Sequence, residues 1–189
     1  AQRRYFIDFN GTNASMELSS PFQPAGDFEV EIDFSTTSES GMFILSGGSG
    51  TNGFELYNSS TGDTFMYYEG SVIGSGSSSA TIDGKLHNVK IVRTGTSVEV
   101  FIDGVSNFTV TLSGDIKIDT FGKRTSSSFY FDGVIANAKL TDTDTPTNSL
   151  SFALDQATGT TESSSINSGA LTYVNISESS REVYELLTG

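Results

Sequence analysis

Three carboxylates stand at alternate positions in the segment FEVEIDF, residues 28–34, at Glu29, Glu31 and Asp33. In a β-strand this spacing places all three side chains on the same face. Two carboxylates that flank a sugar ring are the catalytic groups of most glycoside hydrolases. The segment is therefore either the catalytic strand of a glycanase or a strand with one face in water.

The chain contains one histidine, His87, and no cysteine. The absence of cysteine excludes disulfides and thiol chemistry. A single histidine excludes a metal site with several histidine ligands. We expect His87, at the start of a predicted strand, to be half-buried and hydrogen-bonded to a carbonyl group rather than catalytic.

The charge of the chain limits its partners. The 189 residues carry a formal net charge of −13, with a sequence pI of about 4.2. A nucleic-acid-binding surface is basic, so no nucleic-acid partner is expected. The sequence has no apolar run of membrane-spanning length, so no membrane insertion is expected.

Hydrophobic and polar residues alternate along most of the chain. This period of two predicts roughly a dozen short strands and no helix before residue 150. Short runs such as 80–83 are included among these strands, and Asp103-Gly104 predicts a two-residue hairpin turn. Many short strands at regular spacing indicate an all-β sandwich or barrel.

The pattern changes at a polar, proline-containing break, residues 141–149. We therefore predict one domain over residues 1–145 and a C-terminal extension over residues 146–189. The apolar pieces of the extension are too short for a separate core. They are expected to form edge strands on the sandwich, or an arm that reaches another subunit.

The segment DGKLHNVKIVRTGTSVEVFIDGV, residues 83–105, resembles the central hairpin of laminin-G-like, concanavalin A-like lectin and glucanase domains. Leu86 stands where this family usually has tryptophan. The segments YFIDFNGTNASMELSS and FGKRTSSSFYFDGVIANAKL are similar to its opening and closing strands, so the resemblance covers roughly residues 4–142. It implies an all-β, concanavalin A-like jelly-roll sandwich of two antiparallel sheets. The matching hairpin positions are His87, Val89, Ile91, Arg93, Asp103 and Gly104.

Glycanases of this fold carry a Glu-x-Asp-x-(x)-Glu strand. Glu31 and Asp33 match its first two acids, but Ser35 or Thr36 stands at the third. The chain also has no tryptophan to line sugar subsites. The resemblance therefore predicts a protein that is not an enzyme, with FEVEIDF as a strand that has one polar face.

Jelly-roll binding modules grip sugars by aromatic stacking and polar side chains, often with Ca²⁺. The candidate carbohydrate-binding residues lie in GFELYNSSTGDTFMYY; they are Tyr57, Asn58, Asp63, Tyr67 and Tyr68. The alternative is that these tyrosines only pack on a face of a sheet. The resemblance also implies a structural Ca²⁺ ion, for which the candidate ligands are Asp132, then Asp142 and Asp144.

The tail LSFALDQATGTTESSSINSGALTYVN is similar to segments that accompany such domains in bacteriophage proteins. The predicted function is a non-catalytic adhesive or structural module of a virion, as a decoration or fibre-type protein, or of a cell surface. Its expected partners are glycans or other viral or cell-surface subunits, including further copies of the chain. The alternatives are a free carbohydrate-binding lectin and a divergent glycanase.

Overall fold

Two antiparallel sheets, A and B, pack face to face in the computed structural model. The structure describes residues 3–77, 81–125, 128–154, 161–176 and 181–185, and within these ranges each sheet has eight strands. This arrangement confirms the predicted all-β sandwich of two antiparallel sheets.

Sheet A has the strand order β10-β9-β8-β3-β12-β1-β16, and β13 also pairs with β12. Its strands are β1 (Arg3–Asn10), β3 (Phe28–Ser35), β8 (His87–Thr94), β9 (Ser97–Ile102), β10 (Val105–Thr111), β12 (Asp132–Asp142), β13 (Leu150–Phe152) and β16 (Arg181–Glu185). Sheet B has the order β14-β15-β2-β11-β4-β5-β6-β7. Its strands are β2 (Ser15–Phe22), β4 (Met42–Ser46), β5 (Phe54–Asn58), β6 (Thr64–Tyr68), β7 (Ser71–Gly76), β11 (Ile118–Phe121), β14 (Thr161–Ser163) and β15 (Ala170–Val174).

Strand β3 shows how the sequence alternation builds sheet A. Phe28, Val30, Ile32 and Phe34 are all buried in the core between the sheets, and the intervening residues are partly exposed. Strand β8 pairs with β3 in a continuous register from Phe28 opposite Arg93 to Phe34 opposite His87. In both of these strands the period of two assigns one face to the core.

Sheet B is built on two neighbouring rows of side chains that run across five paired strands. The inward row is fully buried and consists of Met16, Phe121, Leu45, Leu56 and Met66. The next row, on the outer face of sheet B, consists of Glu17, Thr120, Ser46, Glu55 and Tyr67. The outer row is the surface on which the candidate site lies.

The C-terminal extension completes both sheets. Strand β15 pairs with β2 at the edge of sheet B, and β16 pairs with β1 at the edge of sheet A. Leu171 and Phe152 of the extension are fully buried in the same core as the rest of the sandwich. Within one chain, the extension thus contributes strands to both sheets.

Two local features differ from a simple run of strands. Residues 81–83 form a turn instead of the predicted strand, because the buried Thr81 hydroxyl donates to Gly62 O at 2.9 Å and holds the chain across the end of β5. Within the described residues the single helical element is a 3₁₀ turn, Pro146–Asn148. This described part contains no helix that is long and apolar enough to cross a membrane.

Candidate functional site

Four aromatic side chains cover the outer face of sheet B on strands β4, β5 and β6. Phe43 lies 5.0 Å from Tyr57 and 5.6 Å from Tyr67, measured between ring centroids. Tyr57 lies 6.1 Å from Tyr67 and 6.0 Å from Phe65. These distances are those of interacting aromatic rings. These four residues form the aromatic platform.

The backbone of these strands explains why the rings face outwards. Leu56 and Met66 point into the core, so their neighbours Tyr57 and Tyr67 point to the other face. In β4 every side chain is buried, and the pairing with β5 shifts register between Phe43 and Leu45. This irregularity places Phe43 under the two tyrosines on the outer face.

An ion pair borders the aromatic platform. The Nε of Arg124 donates to both carboxylate oxygens of Glu55, at 3.0 and 3.1 Å, and its Nη2 donates to Oε2 at 2.9 Å. Glu55 is fully buried, and the Ser46 hydroxyl also donates to its Oε1 at 2.8 Å. Bidentate hydrogen bonds of this kind offset the cost of burying a carboxylate and a guanidinium together.

The same arginine packs on the aromatic rings. Its guanidinium carbon lies 5.0 Å from the centroid of Phe43 and 5.7 Å from that of Tyr67. Both distances fall within the range of cation–π attraction. Arg124 therefore links the buried carboxylate to the floor of the platform.

The segment that carries Arg124 forms a wall beside the platform. This wall loop comprises residues 122–125 and 128–131, and its two arms are joined by hydrogen bonds from Phe131 N to Gly122 O and from Arg124 N to Phe129 O. Phe129 is 53% exposed, and its ring lies 6.3 Å from that of Phe43. The site thus has an aromatic floor and a wall with one aromatic and one polar side chain.

Tyr57 contributes a neutral hydroxyl to this surface. Partial burial raises the pKa of Tyr57 above its usual value, and the nearby Tyr67 raises it further. The phenol therefore remains protonated at neutral pH and can donate a hydrogen bond. Flat aromatic faces beside neutral and charged donors can bind a ligand that has both apolar C–H faces and hydroxyl groups.

The sequence of this sandwich matches a known family. The model of the laminin G domain matches residues 34–153, which is more than half of the chain. The chain belongs to the laminin G domain family. No curated protein sequence matches it.

Solved structures share the fold of this laminin G domain at low sequence identity. A Bacteroides ovatus protein to which carbohydrate binding is ascribed has 10% identity and a TM-score of 0.70, over 100% of this chain and 61% of that protein. Domains LG4–5 of the mouse laminin α1 chain have 19% identity and a TM-score of 0.51, over 74% of this chain and 41% of that one. The CBM40 of the Ruminococcus gnavus IT-sialidase, bound to α2,3-sialyllactose, has 13% identity and a TM-score of 0.52. This match covers 74% of this chain and 90% of the CBM40 chain.

In this laminin G domain, the five predicted carbohydrate-binding residues separate between two faces of sheet B. Tyr57 and Tyr67 belong to the aromatic platform. Asn58 is fully buried on the inner side, where its Oδ1 lies 3.0 Å from the hydroxyl of Thr81. The Tyr68 hydroxyl donates to the backbone carbonyl of Asp115 at 3.1 Å. Adjacent residues of a strand face opposite ways, so Asn58 and Tyr68 do not lie beside the platform.

Asp63 lies at the end of the platform. It lines a surface pocket of about 250 Å³ together with Phe65 and Ser77. Hydrogen bonds from the Thr61 and Ser77 side chains lower the pKa of Asp63, so the carboxylate is charged at neutral pH. Asp63 can accept hydrogen bonds from a ligand that extends past Phe65.

The three aspartates predicted as calcium ligands do not form one site. Asp132 and Asp142 are the first and last residues of the 11-residue strand β12, so they lie about 33 Å apart. The carboxylate of Asp142 accepts hydrogen bonds from Thr145 N and Asn148 Nδ2, and that of Asp144 accepts one from Asp27 N. Among the described residues no group of three acidic, histidine or cysteine side chains is arranged to hold a metal ion.

The carboxylates of FEVEIDF lie on the outer face of sheet A. The side-chain amide of Asn88 donates to Glu31 at 3.1 Å and to Asp33 at 2.7 Å, and Lys90 pairs with Glu29 at 2.9 Å. All three acids are thus engaged in contacts with the neighbouring strand β8. This arrangement agrees with the prediction of a strand with one polar face.

His87 is 7% exposed and lies between two carboxylates, not against a carbonyl as predicted. Its Nδ1 is 2.8 Å from Asp103 Oδ2 and its Nε2 is 2.9 Å from Asp83 Oδ1. Burial lowers the pKa of His87, but the hydrogen bonds to Asp103 and then Asp83 outweigh it, so the net pKa is raised. The arrangement ties the β9–β10 turn and the 81–86 turn to β8, which is a structural role.

The sequence predicted Tyr57 and Tyr67 but neither the other two rings of the platform nor the residues that border it. Glu55 and Phe65 could have been found, because each lies two positions from a predicted tyrosine on the same strand face. Phe43, Arg124 and Phe129 have no such signal, since they join the site through contacts between segments that are distant in sequence.

Proposed function

We propose that this laminin G domain is a non-catalytic carbohydrate-binding module and that the aromatic platform is its sugar site. The observation that carries the proposal is the group of aromatic rings on the outer face of sheet B, bordered by the Arg124–Glu55 ion pair. Apolar side chains that are grouped on a protein surface, outside the core, commonly mark a binding site.

A sugar ring suits this surface for two reasons. Its C–H faces can pack on the rings of Tyr57 and Tyr67, which are only partly buried. Its hydroxyl groups can exchange hydrogen bonds with the tyrosine hydroxyls, with Asp63 and with the edge of the Arg124 guanidinium. Binding sites commonly combine apolar surface with a few such placed polar groups.

The folds with the same architecture support this assignment. Carbohydrate binding is ascribed to the B. ovatus protein, and the R. gnavus CBM40 is bound to a sialylated sugar. Because these identities are low, they support the proposal only alongside the geometry of the platform.

The absence of catalysis belongs to the proposal as well. The paired carboxylates Glu31 and Asp33 accept hydrogen bonds from Asn88 on the opposite side of the molecule from the platform. A module that binds without cleaving suits adhesion outside a cell. Placement on a virion, and structural calcium at Asp132, stay predictions of the sequence.

A glycan array, probed with the purified chain in the presence and absence of a chelator, tests the proposal. Tyr67→Ala and Tyr57→Ala are expected to weaken binding at least tenfold, which corresponds to about 1.4 kcal/mol. The matched control is Phe101→Ala, since Phe101 is a partly exposed aromatic residue on the outer face of sheet A. If Tyr67→Ala and Tyr57→Ala bind glycans as tightly as Phe101→Ala and the native chain do, with unchanged melting curves, the sugar site is not on the platform.

A further inference from the structure

We infer that the sugar bound on the aromatic platform is uncharged, an inference that rests on the proposed function. Among the described residues, the cation that touches the platform is Arg124, and it is already paired. Arg124 makes three hydrogen bonds to the fully buried Glu55. The two opposite charges are so close that the pair presents almost no net charge to a ligand.

Arg124 nevertheless keeps a hydrogen-bonding edge. Its Nε and Nη2 are used by Glu55, whereas its Nη1 has no partner among the described residues. The side chain is 19% exposed. Arg124 can therefore donate to a neutral hydroxyl or carbonyl oxygen of a sugar while its charge is already compensated.

The other basic side chains that the structure describes near sheet B offer no uncompensated charge on this face. Among the described side chains near sheet B, Lys123 pairs with Glu17 at 2.8 Å and Lys117 pairs with Asp119 at 3.4 Å. The buried Arg93 donates to the backbone carbonyls of Gly95 and Gly114. The remaining basic residues belong to sheet A or to the turn before it; they are Arg3, Arg4, Lys85, Lys90, Lys139 and Arg181.

The net negative charge of the whole chain also favours an uncharged ligand over an acidic one. A net charge of −13 repels carboxylated and sulfated glycans over roughly the Debye length of 8–10 Å at physiological salt. Asp63, charged and at the end of the platform, adds a local repulsion. An uncharged sugar avoids both, and its binding to aromatic faces needs no counter-charge.

The test is an array that carries neutral cello-, xylo-, manno-, galacto- and chito-oligosaccharides beside sialylated, uronic-acid and sulfated ones. The chain and its Tyr67→Ala variant are both probed at 50 and 500 mM NaCl. We expect signals that are lost in Tyr67→Ala to be confined to neutral glycans and to change less than twofold with salt, because little charge is exchanged on binding.

A charge variant provides an independent arm. Glu55→Gln leaves Arg124 with an uncompensated positive charge, so we expect it to bind a heparin-derived hexasaccharide at least tenfold more tightly than the native chain at 50 mM NaCl. Melting curves establish that the variant is folded. If Glu55→Gln does not fold, the inference is decided by how the binding of the native chain to the array changes between 50 and 500 mM NaCl.

The possible results distinguish a failure of the inference about sugar charge from a failure of the proposed function. Signals on acidic glycans that depend on Tyr67 would overturn the inference and leave the proposed function intact. A folded Glu55→Gln variant with no gain for heparin would overturn the argument from charge compensation. The absence of any Tyr67-dependent signal would overturn the proposed function itself.

Discussion

Glu55 is a fully buried carboxylate on the outer face of sheet B, and both of its oxygens accept hydrogen bonds there. Three hydrogen bonds from Arg124 and one from Ser46 occupy its oxygens. Removing one member of a buried pair leaves the other charge without compensation, whereas removing both can be nearly neutral. The ion pair therefore holds the wall loop in place at little net gain in stability.

This balance predicts a non-additive result. Arg124→Met should lower the free energy of unfolding by about 3 kcal/mol, because Glu55 is left buried without its cation. The double variant Glu55→Leu/Arg124→Met should recover most of that loss, since the neighbouring rings of Phe43 and Tyr67 accept apolar side chains. Urea denaturation of the native chain, of both single variants, Arg124→Met and Glu55→Leu, and of the double variant measures the coupling. Additive losses would show that the pair does not act as a unit.

His87 is a second residue whose environment sets a measurable property. Burial lowers the pKa of His87, but the hydrogen bonds to Asp103 and Asp83 raise it overall. Hydrogen bonds from Lys85 and then from His87 lower the pKa of Asp83, and the hydrogen bond from His87 lowers that of Asp103 against the effect of burial. The protonated imidazole thus stabilises the fold below the unfolded pKa of about 6.5. That stability is lost as the pH rises through the raised folded pKa.

The two aspartates have the opposite dependence. Their stabilising effect is present above an unfolded pKa of about 3.9 and is lost as the pH falls through their lowered values. We therefore expect the His87-dependent part of the melting temperature to be largest between about pH 4 and 6.5. Melting curves of the native chain and His87→Gln across pH 3–9 measure this difference. Because the chain has one histidine, its imidazole NMR signal reports the pKa directly.

The wall loop is the element that completes the site, and Gly122 fixes where it begins. Gly122 has φ +78°, and a Cβ there would lie 2.2 Å from the ring of Phe9 in the core. Only glycine allows both the left-handed backbone and the close approach to a buried ring. The position of Phe129 and Arg124 over the platform therefore depends on this residue.

Gly122→Ala should displace the wall loop and weaken sugar binding on the array. Its control is Gly104→Ala, at the β9–β10 turn, which has nearly the same φ of +77° but no atom within 4 Å of the place that the added methyl group would take. The control should lose only the cost of the left-handed conformation, about 1–2 kcal/mol. A loss of stability in Gly122→Ala no larger than in the control would contradict the role of the Phe9 contact.

At the scale of the whole molecule, the C-terminal extension belongs to the core of the sandwich. Leu150, Phe152 and Leu171 are buried with residues of strands from the first 145 positions. Glu162, also buried, accepts hydrogen bonds from the Tyr173 hydroxyl at 2.6 Å and from Leu154 N at 3.0 Å. Removing this segment would expose a large apolar area along both sheets.

A chain that ends after Thr145 should therefore lose its cooperative thermal transition, measured by circular dichroism. A point variant isolates the cause: Leu171→Ala, at a fully buried position, should cost about 2–5 kcal/mol, whereas Ile166→Ala, at a position that is 51% exposed, should cost less than about 0.5 kcal/mol. A truncated chain that melts like the native one would show that residues 1–145 fold as an independent domain.

The sequence by itself determined the fold class and much of the strand order along the chain. Alternation such as that of Phe28, Val30, Ile32 and Phe34 assigns a strand and its buried face without any long-range information, because successive side chains point to opposite sides. The same rule, applied strictly, also places Tyr57 on the opposite strand face from Asn58, and Tyr67 on the opposite strand face from Tyr68. The family resemblance in the hairpin of residues 83–105 was confirmed by the laminin G domain match.

Only the tertiary structure decided which distant residues complete the site. Glu55 and Arg124 lie 69 positions apart, and Phe43 reaches the platform through a register shift within an unbroken apolar strand. The partners of His87 were likewise decided by the turns that bring Asp83 and Asp103 to its two ring nitrogens. Alternation fixes the face on which a side chain lies, but contacts between strands and loops depend on register and on chain crossings. Those are set by the packing of the whole sandwich, which a local pattern does not encode.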